Sequence, residues 1–161
     1  MDPSLDHIDH GLESWDTIFN DDMDKVDANF LRSTKNADHG EKSRLKWYEA
    51  TSGALAGASY TFAGVIPAGS ILFGVIARVK TIITGATTWK LGDGVTDNQF
   101  ATAKALAAGT TSGLADHQAA AVPLLHVAAG DVVVTANGPN FASGELRVAV
   151  LVLELDGMTS A

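Results

Sequence analysis

No cysteine occurs anywhere in the 161 residues, so neither a disulfide nor a thiolate metal site is open to this chain. Cations are scarce as well: 11 Lys/Arg stand against 19 Asp/Glu, for a net charge of −8. No basic stripe exists in the sequence, which argues against nucleic acid as a partner, because phosphate neutralisation needs clustered Lys/Arg. The acidic front half of the chain would repel an anionic membrane surface. The first ten residues, MDPSLDHIDH, have no apolar run of the kind a secretory signal carries. The long uncharged stretch 50–77 is cut by four glycines before Ser70 and by Pro67, so it reads as strands and a turn and predicts no membrane insertion. No G-x-S-x-G elbow is present and no Ser/His/Asp set can be placed. The chain therefore reads as no enzyme, with no catalytic residue and no cofactor.

What charge there is lies mostly at the front. Residues 1–50 hold 12 acidic and 6 basic side chains, and the following 111 residues hold 7 and 5. A chain of this length supports one domain of about 100–150 residues plus an appendage. The division predicts an N-terminal helical anchor and linker over 1–46 and a β domain over 47–161. Residues 14–31 carry the helical pattern. Ser14 suits an N-cap, Asp16 suits the first turn, and Trp15, Phe19, Met23, Val26 and Phe30 recur at spacings of 4, 4, 3 and 4. So apolar a face must dock on its own domain, on sister copies or on another protein. The Asp-rich opposite face lacks the glycine-containing calcium-loop pattern and reads as solvated. His7 and His10 have a metal-compatible spacing but nothing nearby completes a site. Residues 32–46 are polar and read as a linker.

From Trp47 onward the hydrophobic period is two. In 59–66, Tyr60, Phe62, Gly64 and Ile66 fall on one face. Strands are also predicted over 71–83, 87–94, 122–128, 131–137 and 145–155, with 71–91 forming a hairpin across Thr84-Gly85-Ala86. Residues 98–117 read as a long excursion with a helical turn near 100–106, and 138–144 as a tight loop. Strands this short, at intervals of about 10–15 residues, predict a mainly β chain built as an antiparallel, jelly-roll-like β-sandwich.

The best polar cluster is 91–100. Asp93, Asp97 and Asn98 could offer oxygens to a cation. The plainer reading is a turn in which Gly92 and Gly94 supply backbone freedom and Asp93 and Asn98 bond to their own backbone. No metal is assigned. Trp89 is the one tryptophan in a strand, and a rim of Trp89 copies is the candidate surface for carbohydrate. His126, between Leu125 and Val127, reads as a structural histidine, and His117, beside Asp116, as solvent-exposed.

The sharpest signal is surplus apolar surface. The segments 71–76 (ILFGVI) and 148–153 (VAVLVL) are apolar on both faces, whereas a small sandwich normally leaves one face of each sheet wet. Cover for the second face predicts an obligate homo-oligomer.

Three segments, taken in order, carry a resemblance: FAGVIPAGSILFGVIARVKTIITGATTWKLGDG, DNQFA, and GDVVVTANGPNFASGELRVAVLVLEL. Within them, T-x-x-T-G-A-T-x-W-x-x-G begins at Thr81, and T-A-N-G-x-x-F-x-x-G followed by R-V-A-V begins at Thr135. Over about 60–155 the chain resembles the β domain of tailed-bacteriophage and gene-transfer-agent virion appendage proteins, the head-spike and tail-fibre type. The leader 15–27 resembles the start of many fibre proteins. The resemblance implies a homotrimer, no catalysis, display on the virion surface after assembly in the host cytoplasm, and attachment to a major capsid or tail protein through the N-terminal segment. The absence of a long shaft between leader and head favours a capsid decoration, cement or short head-fibre subunit. The alternative is a tail-fibre or host-surface carbohydrate-binding adhesion module, with a host glycan as partner.

Overall fold

The computed structural model describes residues 43–155. They form nine strands: β1 (Ser43–Thr51), β2 (Ser59–Ile66), β3 (Ser70–Thr84), β4 (Thr88–Gly92), β5 (Ala101–Lys104), β6 (Thr111–Ser112), β7 (Leu124–His126), β8 (Gly130–Asn137) and β9 (Ser143–Leu155). A single 3₁₀ turn, η1, spans Leu114–Asp116. The predicted anchor helix, with Trp15, Phe19, Met23, Val26 and Phe30, lies outside the described residues.

Every strand pairing is antiparallel, in two sheets. One sheet is five-stranded, in the order β1-β9-β3-β6, with β7 also paired on β3; the other runs β2-β8-β4-β5. The chain changes sheet at β1–β2, β2–β3, β3–β4, β5–β6, β7–β8 and β8–β9. That alternation is the connection pattern of a double-sheet jelly roll. The two sheets share one core. Leu72, Val75, Val148, Val150 and Val152 face Phe62, Trp89, Leu91, Val132 and Val134 across it. β-branched side chains make up half of β8, and Val148, Val150 and Val152 form the inner face of β9, where they suit a pleated, packed surface. The alternation predicted for 59–66 holds as far as Phe62, which is buried with half-buried Tyr60 edge-on against it; the register then slips before buried Ile66, leaving Gly64 exposed and Val65 half-buried.

Buried polar groups are tied to the backbone. The Ser52 hydroxyl oxygen accepts from the Leu146 N–H at 2.9 Å, and that of Ser112 from the Ala77 N–H at 3.1 Å. The Trp89 indole N–H donates to the Ala105 carbonyl at 2.8 Å.

Several expectations from sequence are corrected. The 71–91 segment is no hairpin. β3 has β9 on one edge and β6 and β7 on the other, so β4 leaves for the second sheet and pairs with β8 and β5. Thr84-Gly85-Ala86 turns between sheets and not within one. The expected helical turn at 100–106 is strand β5, which closes the edge of β4. Strand β1 begins at Ser43, so residues 43–46, assigned to the linker, run as strand beside β9. The strand expected over 122–128 shortens to Leu124–His126. The loop 138–144 is no mere connector: Phe141 is buried, and its backbone exchanges two hydrogen bonds with Gly57, at 2.9 and 3.0 Å.

Gly85 is a tight point in this arrangement. Its φ is +93°, and a Cβ there would lie 2.7 Å from the Ala142 nitrogen. Ala142 in turn donates its N–H to the Thr84 carbonyl at 2.8 Å. Gly85→Ala is expected to lower stability by more than about 1 kcal/mol in urea unfolding. Gly53→Ala, at a position with nothing within 4 Å of the added carbon, is expected to stay within about 0.5 kcal/mol of wild type.

Candidate functional site: the outer face of the five-stranded sheet

Successive residues of a strand point to opposite faces. Val148, Val150 and Val152 are fully buried in the core, so Arg147, Ala149, Leu151 and Leu153 occupy the outer face of β9. Register then assembles that face row by row. Leu45, Leu153, Ile71 and Leu125 stand side by side across four strands. Trp47, Leu151 and Gly74 form the next row, then Glu49, Ala149 and Ile76, then Thr51, Arg147, Arg78 and Thr111. The first two rows are apolar and the last is polar and cationic. Leu45 is 64% exposed, Trp47 52% and Leu125 44%. Phe73, the extra residue where the β3–β9 register slips, is also exposed. These side chains leave on the order of 500 Å² of apolar surface open, a large part of the roughly 800 Å² each partner gives to a stable interface. The two-sided apolar character read from 71–76 and 148–153 thus maps to one core face and one open face.

The turn η1 sits on the same outer face. Leu114 lies over Gly74, where a side chain would collide with it. His117 follows: its Nε2–H donates to the Val75 carbonyl at 2.7 Å, and its ring meets Phe100 edge-on with centroids 5.5 Å apart. The expectation that His117 is solvent-exposed is therefore corrected; it is half-buried and pins η1 to β3. Lys104 holds the same turn from β5 through an ion pair with Asp116 at 2.5 Å, and that cation keeps the Asp116 carboxyl below its usual range.

The loop after β4 is built as a turn. One Asp93 carboxylate oxygen accepts from the N–H groups of Val95 and Thr96, at 2.9 and 2.7 Å. Asp97 pairs with Lys90, and Asn98 accepts from the Gln118 side chain at 2.7 Å. One oxygen of each of these three side chains is thus engaged within the protein. No group of three or more metal-ligating side chains occurs among the described residues. Trp89 is no surface residue. It is 0% exposed, at the centre of the core, so the carbohydrate rim expected from it is corrected. In sequence a lone strand tryptophan looks the same whether it points inward or outward; only the pairing of β4 with β8 and β5 sets its direction.

At the Leu155 end of the five-stranded sheet, Tyr48 donates to Glu154, Lys46 donates to the Tyr48 hydroxyl at 2.9 Å, and Arg44 lies 3.6 Å from Glu154. The Tyr48 hydroxyl, then the two cations, hold the Glu154 carboxyl below its usual range. The structural reading of His126 agrees with its place on β7 opposite Ser70, with Nε2 buried and without a hydrogen-bond partner.

No family model matches the chain, and no curated protein matches it. Among solved structures, a chain of the cyanophage Pam1 capsid asymmetric unit is similar to it, at 17% identity and a TM-score of 0.44, over 74% of this chain and 89% of that one. Likeness at that level leaves the role of this chain to be argued from its own surface.

Burial lowers the proton affinity of His126, with the Asp93 carboxylate opposing it. Its folded pKa lies below the unfolded value near 6.5, so its contribution is complete above that value and is lost as pH falls through the folded one. Glu154 and Asp116 act with the same sign at lower pH, since their depressed values favour folding above the usual carboxylate range. The urea midpoint is expected to drop from pH 7 to pH 5. In His126→Gln that part of the profile should flatten, leaving the decline that begins near pH 4.

Proposed function

We propose that this chain is a non-enzymatic structural protein of a tailed-bacteriophage virion. In this reading it is a capsid decoration or cement subunit, or a short head fibre, closed into a trimer and displayed on the particle. One observation carries the proposal: the outer face of β1, β9 and β3 has apolar rows in which Leu45, Trp47 and, on the neighbouring β7, Leu125 are exposed among the described residues. Covering Leu45, Trp47, Leu151, Leu153 and Ile71 with sister copies removes that surface without any new element. In a closed trimer the contacts are heterologous, so each copy would set one part of this face against a different part of its neighbour. The resemblance over about 60–155 supplies the virion context and the number three.

A shared axis also explains a division of labour. An oligomer presents several copies of the 1–46 segment at once, and several weak attachments on one rigid body hold a particle far better than one. The adhesion alternative loses its aromatic platform, because Trp89 is in the core. A jelly roll hosts both capsid and lectin roles, so the fold does not choose between them.

The test is attachment. The tagged chain should co-band with particles in a density gradient, and gold label should mark the shell. Leu45→Glu/Trp47→Glu is expected to keep the β circular dichroism spectrum, since both side chains are exposed, and to fall off the particles by at least tenfold. Retention of the folded double variant on particles at the wild-type level would overturn the proposal.

A further inference from the structure

The cationic end of the same face has features that assembly does not use. Residues 43–155 contain seven Lys/Arg: Arg78, Lys80, Lys90, Lys104 and Arg147, together with Arg44 and Lys46, which lie beside Glu154. Lys90 and Lys104 are each held by an aspartate. The other three line one groove of about 520 Å³, walled by Ala108 and Gly109 and backed by Val79. In a chain of net charge −8, this is where the β domain gathers its positive charge.

The gathering opposes the sheet's own stability. Arg78 and Arg147 are direct cross-strand partners, and like charges placed opposite each other repel. Neutralisation is partial: Glu49 pairs with Arg147, and Glu145 lies 3.8 Å from Lys80. No ion pair among the described residues engages Arg78. The groove wall is rigid. Val79 donates its N–H to the Thr110 carbonyl and accepts from the Gly109 N–H, both at 2.9 Å. Glycine and alanine there keep the groove open beside the guanidinium groups. Two arginines with planar donor forks plus a lysine suit an oxyanion. A volume of this size accepts a small organic body with it.

We propose that the Arg78–Lys80–Arg147 groove binds a sugar carrying a carboxylate or phosphate group. The arginines and Lys80 would take the anionic group, and Ala108 and Gly109 would take the ring. The site does not depend on the virion reading. Arg147 stands six residues along β9 from Leu153, about 20 Å from the outermost apolar row, so a ligand-binding role is separable from assembly.

The probes are D-glucuronate, glucose 6-phosphate, inorganic phosphate and neutral glucose, titrated into the full-length ¹⁵N-labelled chain at low salt. The two anionic sugars are expected to shift the Val79 and Gly109 amide resonances saturably. They should bind more tightly than inorganic phosphate, and glucose should give no shift. Arg78→Gln, at an exposed position, should weaken binding by about tenfold or more, and Lys90→Gln should leave it unchanged. Absence of saturable binding by any anion, or equal binding by wild type and a folded Arg78→Gln, would overturn the site. Inorganic phosphate binding as tightly as the sugars would overturn the sugar assignment.

Discussion

The antiparallel pairing of β3 with β9 is the constraint on which the rest of the structure depends. These are the two longest strands, of 15 and 13 residues, and their register runs from Ser70–Glu154 to Thr84–Ser143. Between them they supply most of the five-stranded sheet's share of the core. They also carry apolar side chains on the outer face. The second sheet covers the inner side, and among the described residues Leu45, Trp47, Phe73 and Leu125 stay exposed on or beside the outer one.

Sheet switching follows from the same pairing. Once β9, β6 and β7 occupy both edges of β3, the chain leaving β3 at Thr84 has no partner in that sheet. It crosses at Gly85, and Trp89 arrives in the core as the centre of the opposite layer. The crossing is held by Asn137 at the end of β8 and by the 138–144 loop: the backbone groups of Asn137, Phe141 and Ala142 bond to Thr87, Gly57 and Thr84. Two segments far apart in sequence thus fix the same corner.

Strand positions were largely legible because alternation and turn residues are local signals. Residues 59–66, 131–137 and 145–155 read correctly for that reason, as did the mainly β class. Pairing partners were not legible. A Thr-Gly-Ala turn looks alike within a sheet and between sheets, which is why 71–91 read as a hairpin. β5 was missed because Ala101-Thr-Ala-Lys104 has no strong strand residue beyond Thr102; its pairing with β4 creates it. At the surface, the surplus of apolar residues in 71–76 and 148–153 was visible, but the contribution of Leu45 and Trp47 depends on β1 pairing with β9. The Arg78–Arg147 juxtaposition is likewise a product of register. The turn at Asp93 was available from local chemistry, since its carboxylate bonds to Val95 and Thr96, whereas Asn98, expected to bond its own backbone, is held by Gln118 twenty residues on.

Two ends of one sheet face therefore carry two kinds of unsatisfied chemistry, apolar at Leu45–Leu125 and cationic at Arg147–Arg78. The proposed assembly would cover the first and leave the second accessible. The central claim is that the open apolar rows are covered by sister copies. Sedimentation equilibrium of the wild-type chain at micromolar concentration tests it most directly. The account predicts a folded species at a whole-number multiple of 16.7 kDa, three being the expected multiple. A folded, non-associating species of 16.7 kDa would contradict it.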